Sequence, residues 1–358
     1  MSRIFVTGWG AVSPAGWNVA ALREALVHEG PLPVQDMERP GWEKTLRVRQ
    51  VPAPAARPEF LAHPRLRRSS PITHYAAAAA LEALAGRRAA PGSNDRIGLV
   101  VCMQAGCVRY SCRFLDETLK DPATASPLLF PETVYAAPAS HVAALLENVS
   151  LACSLVGDPG AFLQAVALAA QWLEEDRVDT CLVIGAEETN WILADALRLL
   201  DRNAIITSGA GALCLSRDSK TPGTVELAAI TDPHTYSARK TRTQAAQAMR
   251  AQLGIGAAED LFCDGLAESP RVDAPERAAW RDWPGKRLSP KQSLGEGLMA
   301  SAAWQCVVAC DSVANGGFAA ANVSLVGSNQ QAIGARFVRA GSGNSNSSAN
   351  GAAGKLRP

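Results

Sequence analysis

An α/β fold follows from three observations. Strand-like and helix-like runs alternate along the 358-residue chain, the order that builds a sheet with helices on its faces. Strand candidates such as RIGLVVCM and TCLVIGAEE are nearly continuous apolar runs, as strands buried on both faces require. Helix candidates such as THYAAAAALEALAG are rich in small residues, which suits close packing on a sheet.

The elements follow in order. A strand begins at Ile4–Val6, and WNVAALREALVHEG is helical. The Pro- and Arg-rich stretch from Gly30 to about Ser70 reads as loop and cap. After the alanine-rich helix comes the strand RIGLVVCM, then the helical segment CVRYSCRFLDETLK and a loop holding Pro122, Pro127 and Pro131. TVYAAPASHVAALLE reads as a helix broken at Pro138. VSLACSLVG is a strand, GAFLQAVALAAQWLEED a helix and TCLVIGAEE a strand, followed by WILADALRLLD and the strand GALCLS. The linker DSKTPG divides the chain. Beyond it lie TVELAAITD, the helix KTRTQAAQAMRAQLG, the strand DLFCDG and a Trp-rich helix from Pro275. The helix LMASAAWQCVVACDSVANG and paired strands FAAANVSLVG and AIGARFV complete the order. The expected organisation is one half over residues 1–218, a second over 219–340, and a polar tail over 341–358 too poor in apolar bulk to fold. No residue-level repeat links the halves.

Composition narrows the function. Half the residues are apolar and the net charge is +1, which argues against binding nucleic acid through a basic field. No apolar run approaches a membrane span. The start, MSRIFVTGWG, enters a strand without a signal-peptide core, so a cytoplasmic location is expected. None of the nine cysteines forms a CxxC pair, which fits small buried thiols in a reducing compartment. No Cys/His cluster has ligand spacing, so neither a metal nor any other cofactor is expected. Gly8-x-Gly10 follows a strand, but a dinucleotide site would want glycine where Ser13 stands and an acid ending a second strand, where HEG closes a helix. An oxidoreductase is therefore a poor reading.

IFVTGWGAVSPAG resembles the amino-terminal signature of the β-ketoacyl synthases, and the helix leading into TCLVIGAEE resembles their nucleophile-bearing helix and the strand after it. This resemblance implies a thiolase fold of two pseudo-duplicated halves in α-β-α-β-α layers. It also implies a cysteine at the helix start, two histidines and a lysine. Counting back from Glu187 by the spacing typical of those enzymes lands on Pro159. The first histidine position, in DGLAESPRVDA, falls near Gly265. In SPKQSLGEGLMASAA, Lys291 matches the family lysine and Glu296 occupies the second histidine position. All five histidines precede Leu261, so none is available for either role. The whole resembles a chain-length factor, the inactive half of a type II polyketide ketosynthase heterodimer.

That resemblance implies an active ketosynthase and an acyl carrier protein, bearing its phosphopantetheine-bound acyl chain, as partners. It places CVRYSCRFLDETLK at the subunit interface and acyl tunnel. Tyr110 and Phe114, four apart on one helical face, are the chain-length candidates, with Val108 and Cys112 on the neighbouring face. Aromatic residues at that spacing are more often plain core or interface. Arg65, Arg67 and Arg68 are carrier-docking candidates or a solvated helix-start cluster. NGGFAAANVSLV resembles the family's gating loop, with Phe318 its aromatic, Asn322 matched, and Ala319 and Ala320 in place of glycines, which implies a stiffer loop with no gating duty; a buried strand end explains the stretch equally. The short chain, and proline rather than glutamine at the nucleophile position, point toward polyene-forming systems. The alternative is an active condensing enzyme or thiolase relative using Cys153, whose ACS setting imitates a nucleophile although it lies within a strand.

Overall fold

The computed structural model describes residues 3–28, 30–85, 95–218, 223–254 and 256–341. Most of the expected tail and most of the linker DSKTPG lie outside them. In chain order come β1 (Phe5–Val12), α1 (Val19–Val27), β2 (Gln35–Met37), β3 (Leu46–Arg49), α2 (Pro71–Ala85), β4 (Ile97–Met103), α3 (Val108–Lys120), α4 (Ala137–Leu146), β5 (Val149–Val156) and α5 (Ala161–Glu174). β6 (Thr180–Glu187), α6 (Trp191–Leu200), β7 (Ile206–Thr207), β8 (Gly209–Ser216), β9 (Val225–Ile230), β10 (His234–Thr235), α7 (Arg242–Leu253) and β11 (Leu261–Cys263) follow. The order closes with α8 (Pro270–Ala279), β12 (Lys286–Leu288), α9 (Pro290–Leu294), α10 (Met299–Ala314), β13 (Ala320–Val326) and β14 (Gln331–Arg339).

Ten of these strands run in the order β12-β11-β13-β14-β9-β1-β8-β6-β4-β5, and β10 adds to β14. Outward from the β1–β9 contact, the wings match. Each has its first strand, then its fifth, fourth, second and third. Both also share one pattern of two antiparallel pairings followed by two parallel ones. The duplication invisible in the residues is thus plain in the topology. Helices α5 and α10 lie between the wings, α2 and α4 cover the outer face of the first, and α7 and α8 that of the second. This is the α-β-α-β-α layering of a thiolase fold.

Residue choice explains the placements. β6 and β8 are buried at every position, so their apolar runs fill the centre of a wing. β5 alternates between half-buried and exposed and pairs only with β4, as an edge strand does. The glycines of β1 serve packing. A Cβ on Gly8 would stand 2.0 Å from the Ala83 carbonyl oxygen, and one on Gly10 would stand 2.1 Å from that of Ala79. Glycine on the strand and alanine on α2 let the two backbones approach, which accounts for the pair without a dinucleotide.

Three expectations change. Pro138 lies in the first turn of α4 instead of breaking it, since a first-turn residue needs no intrahelical donor. The Trp-rich helix starts at Pro270, and Trp280 and Trp283 fall beyond its end, where their rings lie 4.3 and 5.3 Å from Phe262. The stretch from Gly30 to Ser70 is not all loop, because β2 and β3 pair there and β7 joins them. Among the described residues, no helix is long and apolar enough to cross a membrane.

Candidate functional site

Helices α5 and α10 both begin at one cavity of about 370 Å3. Pro159, Gly265, Lys291 and Glu296, far apart in sequence, all line it. No cysteine or histidine does so among the described residues.

At the start of α5, Pro159 offers neither a nucleophile nor a backbone N–H. The carboxylate of Asp158 instead takes the N–H of Gly160, just before the helix, on Oδ1 at 3.1 Å. Its Oδ2 accepts from the N–H groups of Gln330 and Gln331 at 3.0 and 3.2 Å. An anion at a helix amino terminus meets both its free donors and its dipole. Burial raises the Asp158 pKa, against which these hydrogen bonds act. The carboxylate fastens α5 to the β13–β14 turn so closely that a Cβ on Gly327 would stand 1.9 Å from Oδ2.

At the start of α10, Lys291 donates to Glu296 Oε2 at 2.7 Å, and Glu296 Oε1 accepts from the Leu298 N–H at 2.7 Å. Both side chains are largely buried. Leu298 has φ of 50°, a left-handed conformation rare for leucine, so this turn carries local strain. Below Gly265 lies Glu276, 4% exposed, whose Oε2 accepts from the Gly265 N–H at 3.1 Å. Burial, and then the charge of Asp264, push the Glu276 pKa up to about 8. Asp273, also buried, accepts from the N–H groups of Ala267 and Ser269, each at 3.1 Å, and pairs with Arg277. Among the described residues the cavity holds acids, an ion pair and backbone donors already engaged, but no thiol and no imidazole.

The other sequence candidates lie elsewhere. Cys153 sits mid-strand in β5 opposite Val100, away from any helix start, and burial raises its thiol pKa. A nucleophilic cysteine needs the opposite shift. Phe318 does not line the cavity, which corrects its assignment to a gating loop. It precedes β13, while the turn that reaches the cavity, at Gly327, Ser328 and Asn329, follows β13 at its other end. Tyr110, Phe114, Val108 and Cys112 are half-buried on α3 and outside the cavity. Phe114 packs against Phe130 at 5.6 Å between ring centroids, and Cys112 Sγ accepts from the Asn190 side chain. Arg65, Arg67 and Arg68 are exposed.

Sequence reasoning missed Asp158, Glu276 and the β13–β14 turn. Asp273 and Glu276 do lie at helical i,i+3 spacing, but that spacing also describes any solvated helix face. The GAEE run was recognised as a landmark but not for what it does. Glu187 accepts from the N–H groups of Gln104 and Ala105. Glu188 accepts from those of Ile72, at 3.0 Å, and Arg109, at 2.8 Å. Two buried carboxylates thereby hold the first turns of α2 and α3 and the loop after β4.

No curated protein matches the sequence. Solved structures that share its fold include three ketosynthase assemblies. The ishigamide ketosynthase/chain length factor aligns at TM-score 0.80 and 16% identity over 95% of this chain and 100% of that one. A ketosynthase (ApeO) in complex with its chain length factor (ApeC) from Xenorhabdus doucetiae aligns at 0.76 and 16%, over 95% and 98%. A type II PKS acyl-carrier protein in complex with its ketosynthase bound to the hexaketide aligns at 0.77 and 15%, over 94% and 99%. The model of the β-ketoacyl synthase N-terminal domain matches residues 1–224. With that match over more than half the sequence, the chain belongs to the β-ketoacyl synthase family.

Proposed function

We propose that the chain is a non-catalytic subunit of the chain-length-factor kind. It pairs with an active ketosynthase, completes the acyl tunnel and limits elongation of a polyketide chain, of polyene type, held by an acyl carrier protein in the cytoplasm. The observation that carries this reading is the cavity itself. Pro159, Gly265 and Glu296 all line it, and among the described residues no cysteine or histidine does.

The surface supports a partner. Leu115 and Leu119 on α3, Leu128, Phe130 and Tyr135 on the following segment, and Val156 on β5 are all exposed, with Leu119 at 75%. Apolar residues concentrated on one stretch of a folded chain mark an association surface. α3 has no buried residue, so its strongly one-sided apolar face does not serve this chain's own core. Solved relatives include ketosynthase/chain length factor assemblies and a ketosynthase with its carrier protein. Tyr110 and Phe114 would then restrict the tunnel at the boundary, and Arg65, Arg67 and Arg68 would face the acidic carrier. No observation favours catalysis by Cys153.

The test is condensation of malonyl carrier protein by the purified chain, by a ketosynthase, and by the two together. Carbon–carbon bond formation is expected only with the ketosynthase present. Product made by this chain alone, and lost in Cys153→Ala, would refute the proposal.

A further inference from the structure

A second cavity, of about 330 Å3, shares no residue with the first. It opens between α1, the carboxy-terminal half of α10 and β12, the outermost strand of the second wing. Its base is the main core, where Leu22 and Val307 are no more than 1% exposed and Val19 and Val308 are buried. Leu26, Leu288 and Phe318 form half-buried sides. The one acid among the described lining residues, Asp311, is fully engaged. Its carboxylate accepts from Arg23 at 2.6 and 2.7 Å, from the Trp9 indole at 3.3 Å and from the Asn315 amide at 2.9 Å. Arg23 and Asp311 therefore cancel. The remaining charge is Lys286, exposed on β12, whose ammonium has no hydrogen-bond or ion-pair partner among the described residues.

The surroundings leave that charge uncancelled. In the cleft that adjoins the slot across Leu26 and Leu288, Asp273 and Asp264 balance Arg277 and Arg287, and Arg281 offsets Glu268 in net charge. An apolar slot that reaches the core, with one unpaired cation at its edge, has the chemistry of a site for an amphiphilic anion. Its volume lies within the ordinary range for small-ligand sites, roughly 300–1,000 Å3. We infer that this slot binds a linear medium-chain carboxylate, its aliphatic chain between α1 and α10 and its carboxylate at the Lys286 ammonium. Each methylene withdrawn from water contributes about fourfold in affinity, while an exposed ion pair contributes about fivefold at most. The chain thus supplies most of the affinity, and Lys286 the preference for negative charge. The inference does not depend on whether the chain pairs with a ketosynthase or condenses malonyl units, because the slot includes no residue of the first cavity, of α3 or of β5.

The experiment is calorimetric titration of the full chain with n-octanoate, with butyrate, 1-octanol and n-octylammonium as controls of length and charge. One saturable site is expected for octanoate, with butyrate at least about 30-fold weaker, octanol about 5-fold weaker and octylammonium weaker still. Lys286→Glu changes only an exposed side chain and should weaken octanoate about 5-fold while leaving octanol unchanged. Leu26→Trp should fill the slot and weaken both ligands at least about 10-fold. The Lys286 variant keeps the test decisive if the Leu26 variant fails to fold. Absence of saturable octanoate binding would overturn the inference. So would equal affinity for octylammonium, or octanoate affinity unchanged by either folded variant.

Discussion

Proline at position 159 removes a side-chain nucleophile and a backbone donor together, which a serine or alanine there would not do. Restoring the thiol alone should restore nothing. Pro159→Cys is expected to show no condensation above background in the malonyl assay, because Gly265 and Glu296 supply no imidazole and Asp158 already takes the Gly160 N–H just before the helix. The Lys291–Glu296 pair shows how such a position can persist for structural reasons. Lys291→Met should cost on the order of 3 kcal/mol by leaving Glu296 unpaired, and adding Glu296→Gln should recover much of that in a double-mutant cycle of urea unfolding. Glu187 gives a pH signature. Burial raises its pKa from 4.5 to about 8, so the folded chain holds a proton there that the unfolded chain releases. Its contribution to stability is full below about pH 4.5 and lost as pH rises through 8. Thermal melts should therefore fall between pH 5 and 8 with a slope that is shallower in Glu187→Gln.

The elements most open to test are α3 and β5. Neither is fully covered by the chain's own core, and both carry exposed apolar residues. Leu115→Arg together with Leu119→Arg should leave the monomer's stability within about 0.5 kcal/mol while abolishing co-purification with a ketosynthase. A pair that still assembles would put the interface elsewhere. Tyr110→Ala or Phe114→Ala should shift released chains to greater length by removing bulk at the subunit boundary, provided gel filtration shows the pair intact. Unchanged lengths would place the limit elsewhere. Elements were the most legible part of the sequence, because buried strands and alanine-rich helices have strong local patterns. β2, β3 and β7 were missed because short strands at the edge of a fold carry little periodicity. Phe318 was misplaced because a matched motif, without strand direction, does not tell which end of β13 meets the cavity.

At the scale of the molecule, the two wings repeat one strand order and bring α5 and α10 to a single cavity. Pro159, Gly265, Lys291 and Glu296 were picked out by motif spacing, and the four do line one cavity. Asp158 and Glu276 were not picked out, since a buried carboxylate in a turn or a short helix leaves no pattern until the chain is folded. The most direct test of the central claim is the intact mass of this chain after incubation with a ketosynthase and an acyl-loaded carrier protein. The account predicts an unmodified mass for this chain while the ketosynthase gains one acyl group. A stoichiometric acyl adduct on this chain, mapped to Cys153, would contradict it.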